Sequence, residues 1–366
     1  MGRDLSNPRA FKVVKKGLPP LVPVLASQAL KFSPNPLSPL SLSDQTIPLS
    51  LSTYILLDGY TCTRARMSSR ARPNLLDVVS SLSSVPGTRN QYAVKITRDW
   101  CTQHSVLGGF STALMLAAGQ RFLDQELGVG RYPDPVHAFV QFLHMVHPGP
   151  SIITCTLLRV SKKQSVLQVE LARASKPGED SDSYPTTTLG IFTYGDISKE
   201  NGLSQETRPV ITRPPPDRLT ECVTIDDPVV SSTPVTAKMN WVAPRSPQGL
   251  WGHRLGGHNR EVWLSFRDGS KLSDVLHLAY LSDLPPATHI PDFYAKYAIS
   301  TLCLSIEFKR RPDPSTDWVM VRSNSNKVSN GRYDAALQLL DERGNLLALS
   351  NHVVFTSDLK PRPARL

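Results

Sequence analysis

The chain has 366 residues, of which 40% are apolar and 20% charged, with a formal net charge of +10; this length supports two ordinary domains, each with its own core. No uninterrupted apolar run approaches the roughly 20 residues that span a bilayer, which predicts a soluble protein with no membrane span. Ten Lys/Arg against three Asp/Glu fall in residues 1–72, so most of the excess charge sits there; the nearly balanced remainder has no basic stripe interleaved with aromatics, which argues against nucleic acid as a partner.

Residues 1–89 are rich in Pro, Ser and Leu and include FSPNPLSPLSLSDQTIPLSLS, a composition that predicts a disordered leader. Its Arg/Ser bias and few acids fit a transit peptide, whereas Met67-Ser-Ser-Arg reads as an ordinary amino terminus preceded by extra sequence. From Gln91 the pattern changes. A strand-like YAVKI leads through Trp100 to LGGFSTALMLAAGQRFLDQEL, whose Ala/Leu/Met content predicts a buried helix ending near Gly128. Strand-like runs follow: VHAFVQFLHMV, SIITCTLLRVS with QSVLQVELARA, and TTTLGIFTYGD, separated by HPGP, a Lys pair and an acidic Ser/Gly-rich loop.

A Pro-rich segment with RPPPDR then reads as a linker over 201–235. Beyond it the order recurs: EVWLSFRDGS, a helical KLSDVLHLAYLSDL, and the strands STLCLSIEFKR, DWVMVRSNS, GRYDAALQLLDE and NLLALSNHVVFT. His147-Pro148-Gly149-Pro150-Ser151 and Arg311-Pro312-Asp313-Pro314-Ser315 occupy matching places, each joining an aromatic-containing strand to an apolar strand that reaches an arginine (Arg159, Arg322). The repeated order predicts an internal duplication. A long helix followed by consecutive antiparallel strands gives an α+β class, with domains at 90–200 and 236–357 and a tail at 358–366.

The five cysteines (Cys62, Cys101, Cys155, Cys222, Cys303) are scattered and never form a CxxC pair, which fits a reducing compartment. The histidines are not spaced with them as a ligand set, so neither a metal nor a cofactor is expected. There is no GxSxG elbow, P-loop or dinucleotide fingerprint.

Residues 90–357 resemble the double-hotdog acyl-CoA thioesterases of the thioesterase II type and their fungal thioesterase-like relatives. The resemblance is carried by Gly108-Gly109-Phe110 opening the helix, by His137-Ala138-Phe139 with Phe142 and Pro148-Gly149, by Tyr280-Leu281-Ser282-Asp283-Leu284, by the strand Thr301 to Phe308, and by Gly344-Asn345-Leu346-Leu347-Ala348. It implies two fused hotdog domains, each a helix wrapped by an antiparallel sheet. The implied activity is hydrolysis of acyl-CoA to free acid and CoA, with no cofactor.

The family's water-activating Asp, Ser/Thr and Gln correspond here to Asp283, Thr301 and His352. A desolvated carboxylate can act as general base while the other two orient the water. Gly108, Gly109 and Phe110 correspond to the oxyanion and substrate-binding turn, where a helix N-terminus offers amide donors. At the glutamine position a histidine can donate, titrate or share the base role; a register one residue different would put Asn351 there. Each residue also has a plain structural reading: Asp283 as a helix end before a Pro pair, Thr301 as a favoured strand residue, His352 as a buried histidine, the glycines as close packing, and His104-Ser105 as a helix cap or a pocket wall.

Two further readings compete with the acyl-CoA hydrolase: an enzyme acting on carrier-bound polyketide or acyl chains, and a catalytically silent acyl-binding protein. The terminal Ala364-Arg365-Leu366 resembles a Ser-Lys-Leu peroxisomal signal, with a cytoplasmic enzyme as the alternative. Family resemblance also points to a homodimer.

Overall fold

Asn74 caps the first helix, α1 (Leu75–Ser80). Its side-chain oxygen accepts from the Asp77 N–H at 2.8 Å, and the Asp77 carboxylate accepts from the Asn74 N–H at 3.0 Å, so two otherwise orphaned amides are satisfied reciprocally. In the computed structural model the described residues are 73–102, 105–174, 185–205, 214–225, 228–231, 233–244, 259–284 and 297–358. All of them belong to one compact unit. The terminal Ala-Arg-Leu, His104 and residues 1–72 lie outside the described residues.

After α1 come β1 (Ser83–Ser84), β2 (Gln91–Ile96), α2 (Gly108–Leu127), β3 (Asp134–Phe142), β4 (Gly149–Val160), β5 (Ser165–Arg173) and β6 (Thr186–Gly195). The second half runs β7 (Cys222–Thr224), α3 (Pro228–Ser231), β8 (Met239–Pro244), β9 (Arg260–Phe266), α4 (Val275–Ser282), β10 (Tyr297–Phe308), β11 (Val319–Asn324), β12 (Val328–Ser329), β13 (Arg332–Leu340) and β14 (Leu346–Asp358). One antiparallel sheet holds the strands in the order β1-β2-β4-β5-β6-β3-β10-β14-β13-β11-β9-β8-β7, with β12 paired to β13.

The duplication is visible in that order. β2-β4-β5-β6-β3 in the first half is mirrored by β9-β11-β13-β14-β10 in the second, and each half has its helix between its first two strands in sequence. The halves meet where β3 and β10 pair, from Gln141 opposite Cys303 to His137 opposite Glu307. The two Pro-x-Pro turns fall at equivalent corners, between β3 and β4 and between β10 and β11. The chain therefore has the fused-hotdog α+β architecture expected from its sequence.

Helix α2 is buried on every side from Gly109 to Gly119, a largely apolar stretch whose two hydroxyl residues, Ser111 and Thr112, donate to the Gly108 carbonyl. It packs on β3, β4, β5 and β6, while α4 packs on β10, β13 and β14, and the two helices touch each other. A single core runs through both halves, with Phe110, Leu114, Tyr280, Leu281, Leu304 and Ile306 all at most 1% exposed.

Three features depart from the sequence reading. Residues 73–89, placed in a disordered leader, instead carry α1 and β1: Leu75, Val78 and Leu82 are buried, and the Arg121 guanidinium of α2 donates to the carbonyls of Val79, Ser80 and Leu82. Six residues hold too few turns for a helical period to be read. The segment read as a linker contributes β7, which pairs with β8. The carbonyls of Pro214 and Pro216 accept there from Arg322 at 3.0 Å and from Trp263 at 2.9 Å, since a proline lacks the N–H but keeps its acceptor. Helix α4 is also shorter than its sequence pattern, because Asp274 caps it: the carboxylate accepts from the Leu276 N–H, and the Asp274 N–H donates to His277 Nδ1.

Candidate active site

The last turn of α4 and the first turn of α2 meet at the junction of the halves. Helix α2 starts without a side-chain cap of its own, because its N-cap residue is Leu107, and its first amides need an acceptor from elsewhere. Asp283, the C-cap residue of α4, supplies it: the Gly109 N–H donates to Asp283 Oδ2 at 2.9 Å. The approach depends on missing side chains. A Cβ on Gly108 would sit 2.6 Å from Phe142 Cζ and 2.7 Å from Asp283 Oδ2, and one on Gly109 would sit 2.7 Å from the carbonyl oxygens of Ala279 and Tyr280.

Thr301 and His352 converge on the other carboxylate oxygen. Thr301 Oγ1 donates to Asp283 Oδ1 at 3.3 Å, and His352 Nδ1 lies 3.6 Å from the same oxygen. Thr301 reaches it through a local irregularity. Leu304, Ile306 and Phe308 of β10 face the core, so simple alternation would turn Thr301 outward with Cys303; the register slips between Thr301 and Cys303, and one inserted residue turns Thr301 inward. On β14 the register puts buried His352 on the core side and leaves Asn351 exposed, so the histidine occupies the site.

Burial pushes the Asp283 carboxyl up to about 6, against the hydrogen bonds from Gly109, Thr301 and Gly108 that favour its charged form. Burial likewise pushes the His352 imidazole down to about 4, opposed by a hydrogen bond to the Ser282 backbone. At neutral pH the pair is thus a carboxylate beside a neutral imidazole. The 3.6 Å contact is not an ion pair, because as pH falls the carboxylate regains its proton near 6, before the ring gains one near 4.

The structure brings Asp283, Thr301, His352, Gly108 and Gly109 together. Phe110 is wholly buried and stacked on Trp100, with ring centroids 4.3 Å apart, which makes it a core residue. The amides of Gly108 and Gly109 hydrogen-bond the Asp283 carboxylate and so hold the acid.

Sequence reading missed Ser350, whose Oγ lies 2.8 Å from His352 Nε2. It also missed Tyr333, close enough for the Asp283 charge to raise its hydroxyl further above the level set by burial. The two-residue spacing of Ser350 and His352 on one strand face was the available signal for the former; nothing local marks the latter. Among the described residues no group of three His, Cys, Asp or Glu could hold a metal ion, and Cys101, Cys155 and Cys303 are free thiols.

A twofold-repeated sheet wrapped on two helices, with a buried carboxylate where the helices meet, places the molecule in the hotdog class. Residues 96–195 match the model of the acyl-CoA thioesterase N-terminal domain and residues 215–356 that of the C-terminal domain, together about two thirds of the chain. The chain belongs to this acyl-CoA thioesterase family. It is similar to the thioesterase-like protein TwmA of Talaromyces wortmannii, 21% identical over 314 residues that cover 72% of this chain and 86% of that one. Among solved structures it resembles the acyl-CoA thioesterase II TesB2 of Mycobacterium marinum, at 18% identity and a TM-score of 0.57 over 78% of this chain and 99% of that one. It also resembles a hotdog protein of unknown function from Alicyclobacillus acidocaldarius, at 17% identity and a TM-score of 0.59 over 78% and 99%.

Proposed function

We propose that this chain hydrolyses acyl-CoA thioesters to free acid and CoA, with Asp283 as general base. The observation that carries the reading is the state of Asp283. Its carboxyl is buried and pushed up to about 6, ionised at neutral pH yet basic enough to take a proton from water. Thr301 Oγ and His352 Nδ1 flank the same oxygen and would orient that water toward the thioester carbonyl. The water oxygen adds to the carbonyl carbon while its proton passes to Asp283, and collapse of the tetrahedral intermediate breaks the C–S bond. The thiolate leaves as CoA and recovers the proton. Family membership supports the thioester as the bond attacked.

The test is thiol release from a panel of short, medium and long acyl-CoA esters by the full chain and by Asp283→Asn. Turnover that falls by about 10²–10⁴ in the variant, the usual contribution of a positioned base, would support the reading. A folded wild-type chain that releases no thiol from any CoA ester would overturn it. Release from the same acyl groups on a carrier protein would then identify the carrier-bound ester as substrate, and binding of acyl-CoA without release would identify a silent binder.

A further inference from the structure

We infer that Ser350 is a positioning residue that locks His352 in the Nδ1–H tautomer, so that the imidazole presents Asp283 with a fixed N–H donor. The inference rests on the general-base reading of Asp283. A neutral imidazole has two tautomers, and only one of them puts a hydrogen on the nitrogen that faces the carboxylate. A glutamine amide at this position would present an N–H with no such choice; a histidine needs a second group to make it.

The surroundings of the two ring nitrogens settle which form the ring takes. Nδ1 faces an acceptor: Asp283 Oδ1 lies 3.6 Å away. The Ser282 hydroxyl is engaged elsewhere, donating to the Ala279 carbonyl at 2.8 Å. A lone pair on Nδ1 would confront the carboxylate oxygen, so Nδ1 carries the hydrogen. In the neutral ring Nε2 must then accept, and its neighbour is Ser350 Oγ at 2.8 Å.

Ser350 has reason to donate. It is 1% exposed, and its cross-strand neighbours are Ile306 on β10 and Leu337 on β13, neither of which offers a side-chain acceptor. In the opposite tautomer Nε2–H would donate to Oγ, the hydroxyl would lose the ring as its acceptor, and the Nδ1 lone pair would face a carboxylate oxygen. Both consequences disfavour that form. The spacing is a property of the strand: positions 350 and 352 point to the same face of β14, so the serine approaches the far side of the ring from its own strand.

The experiment is long-range ¹H–¹⁵N correlation of the imidazole nitrogens in the full chain labelled with ¹⁵N-histidine, with His352 assigned among the nine histidines by its loss in His352→Gln. At neutral pH the wild-type chain should show a protonated Nδ1 and an unprotonated Nε2. Ser350→Ala should shift His352 toward a mixture or the Nε2–H form, and Ser350→Thr should keep the Nδ1–H signature. In acyl-CoA turnover, Ser350→Ala should lower kcat by about tenfold with little change in KM. The same substitution made in His352→Gln should lower it no further, because an amide needs no tautomer lock.

A wild-type Nε2–H ring, or a tautomer indifferent to Ser350→Ala, would overturn the inference. The spectrum is read without substrate, so a chain that keeps the Nδ1–H signature but releases no thiol refutes the hydrolase reading and leaves the tautomer lock standing.

Discussion

The Gly109 amide donates to the Asp283 carboxylate at 2.9 Å across 174 positions of chain, so one half of the molecule caps its helix with an acid from the other. The contact places the positive end of the α2 dipole on the candidate base. It also explains how a carboxylate can stay ionised at neutral pH in a site whose burial opposes its charge.

Holding that charge has a cost in stability, and Asp283→Asn should reveal it. The folded carboxyl lies at about 6 against the ordinary aspartate value of 3.8, so the native state binds the proton more tightly than the unfolded chain. Stability attached to this group therefore falls as pH rises from 3.8 to about 6 and stays low above that. At pH 7.5 the substitution removes a penalty of ~2–3 kcal/mol, while the asparagine oxygen can still accept from Gly109. Thermal unfolding should show a higher Tm in the variant, and a thiol-release assay should show its turnover lost; at pH 4 the difference in Tm should shrink.

The pH profile of kcat/KM should have an acid limb near pH 6, set by Asp283, with a plateau above it. Protonation removes the base, so the rate falls tenfold per pH unit below the limb. The Thr301 hydroxyl favours the ionised form, so Thr301→Val should move the limb to higher pH as well as lower the plateau. A limb unmoved by Thr301→Val would separate the hydroxyl from the carboxylate. His352, held down to about 4, contributes no limb near neutrality, and His352→Gln should leave the limb near 6.

Much of this arrangement was legible in the sequence, for a physical reason. Helix α2 and its Gly-Gly start, and the strands β2 to β6, β9 to β11, β13 and β14, announce themselves through long apolar runs and turn residues, whereas β7, β8 and β12 do not; the repeated order of elements implies that the halves pair. The identity of the three polar residues around Asp283 followed from resemblance. What stayed hidden depends on register and on contacts distant in sequence. The slip that turns Thr301 inward leaves no trace in composition, and the choice between Asn351 and His352 is decided by one step of strand pairing. The use of the glycine amides by Asp283 could not be seen either, because a helix that lacks its own cap does not advertise which distant acid replaces it.

Gly108→Ala and Gly109→Ala should differ in kind. At Gly109 the new Cβ would meet the backbone carbonyls of Ala279 and Tyr280 at 2.7 Å, and a helix backbone cannot give way cheaply. At Gly108 it would meet two side chains, Phe142 and Asp283, which can turn aside. Gly109→Ala should therefore lower stability by about 1–3 kcal/mol in denaturant unfolding. Gly108→Ala should be milder in stability and harsher in kcat, because it displaces the carboxylate itself.

Arg121→Ala tests the packing of residues 73–84. The guanidinium donates to the carbonyls of Val79 and Ser80 at 3.0 and 3.3 Å and to that of Leu82, at and just beyond the end of α1, where helix carbonyls run out of intrahelical donors. Charged donors to backbone acceptors contribute about 1.5–3 kcal/mol each where buried and less where solvated, so the substitution should loosen α1 without unfolding the sheet. Limited proteolysis should cut the variant between 73 and 90 faster than the wild-type chain, with the fragment from β2 onward intact. Leu75→Ala, which empties a fully buried position in the same contact, should act in the same direction. If the wild-type chain is cut there as fast as the variants, α1 is not held against α2 and these contacts do not order the segment.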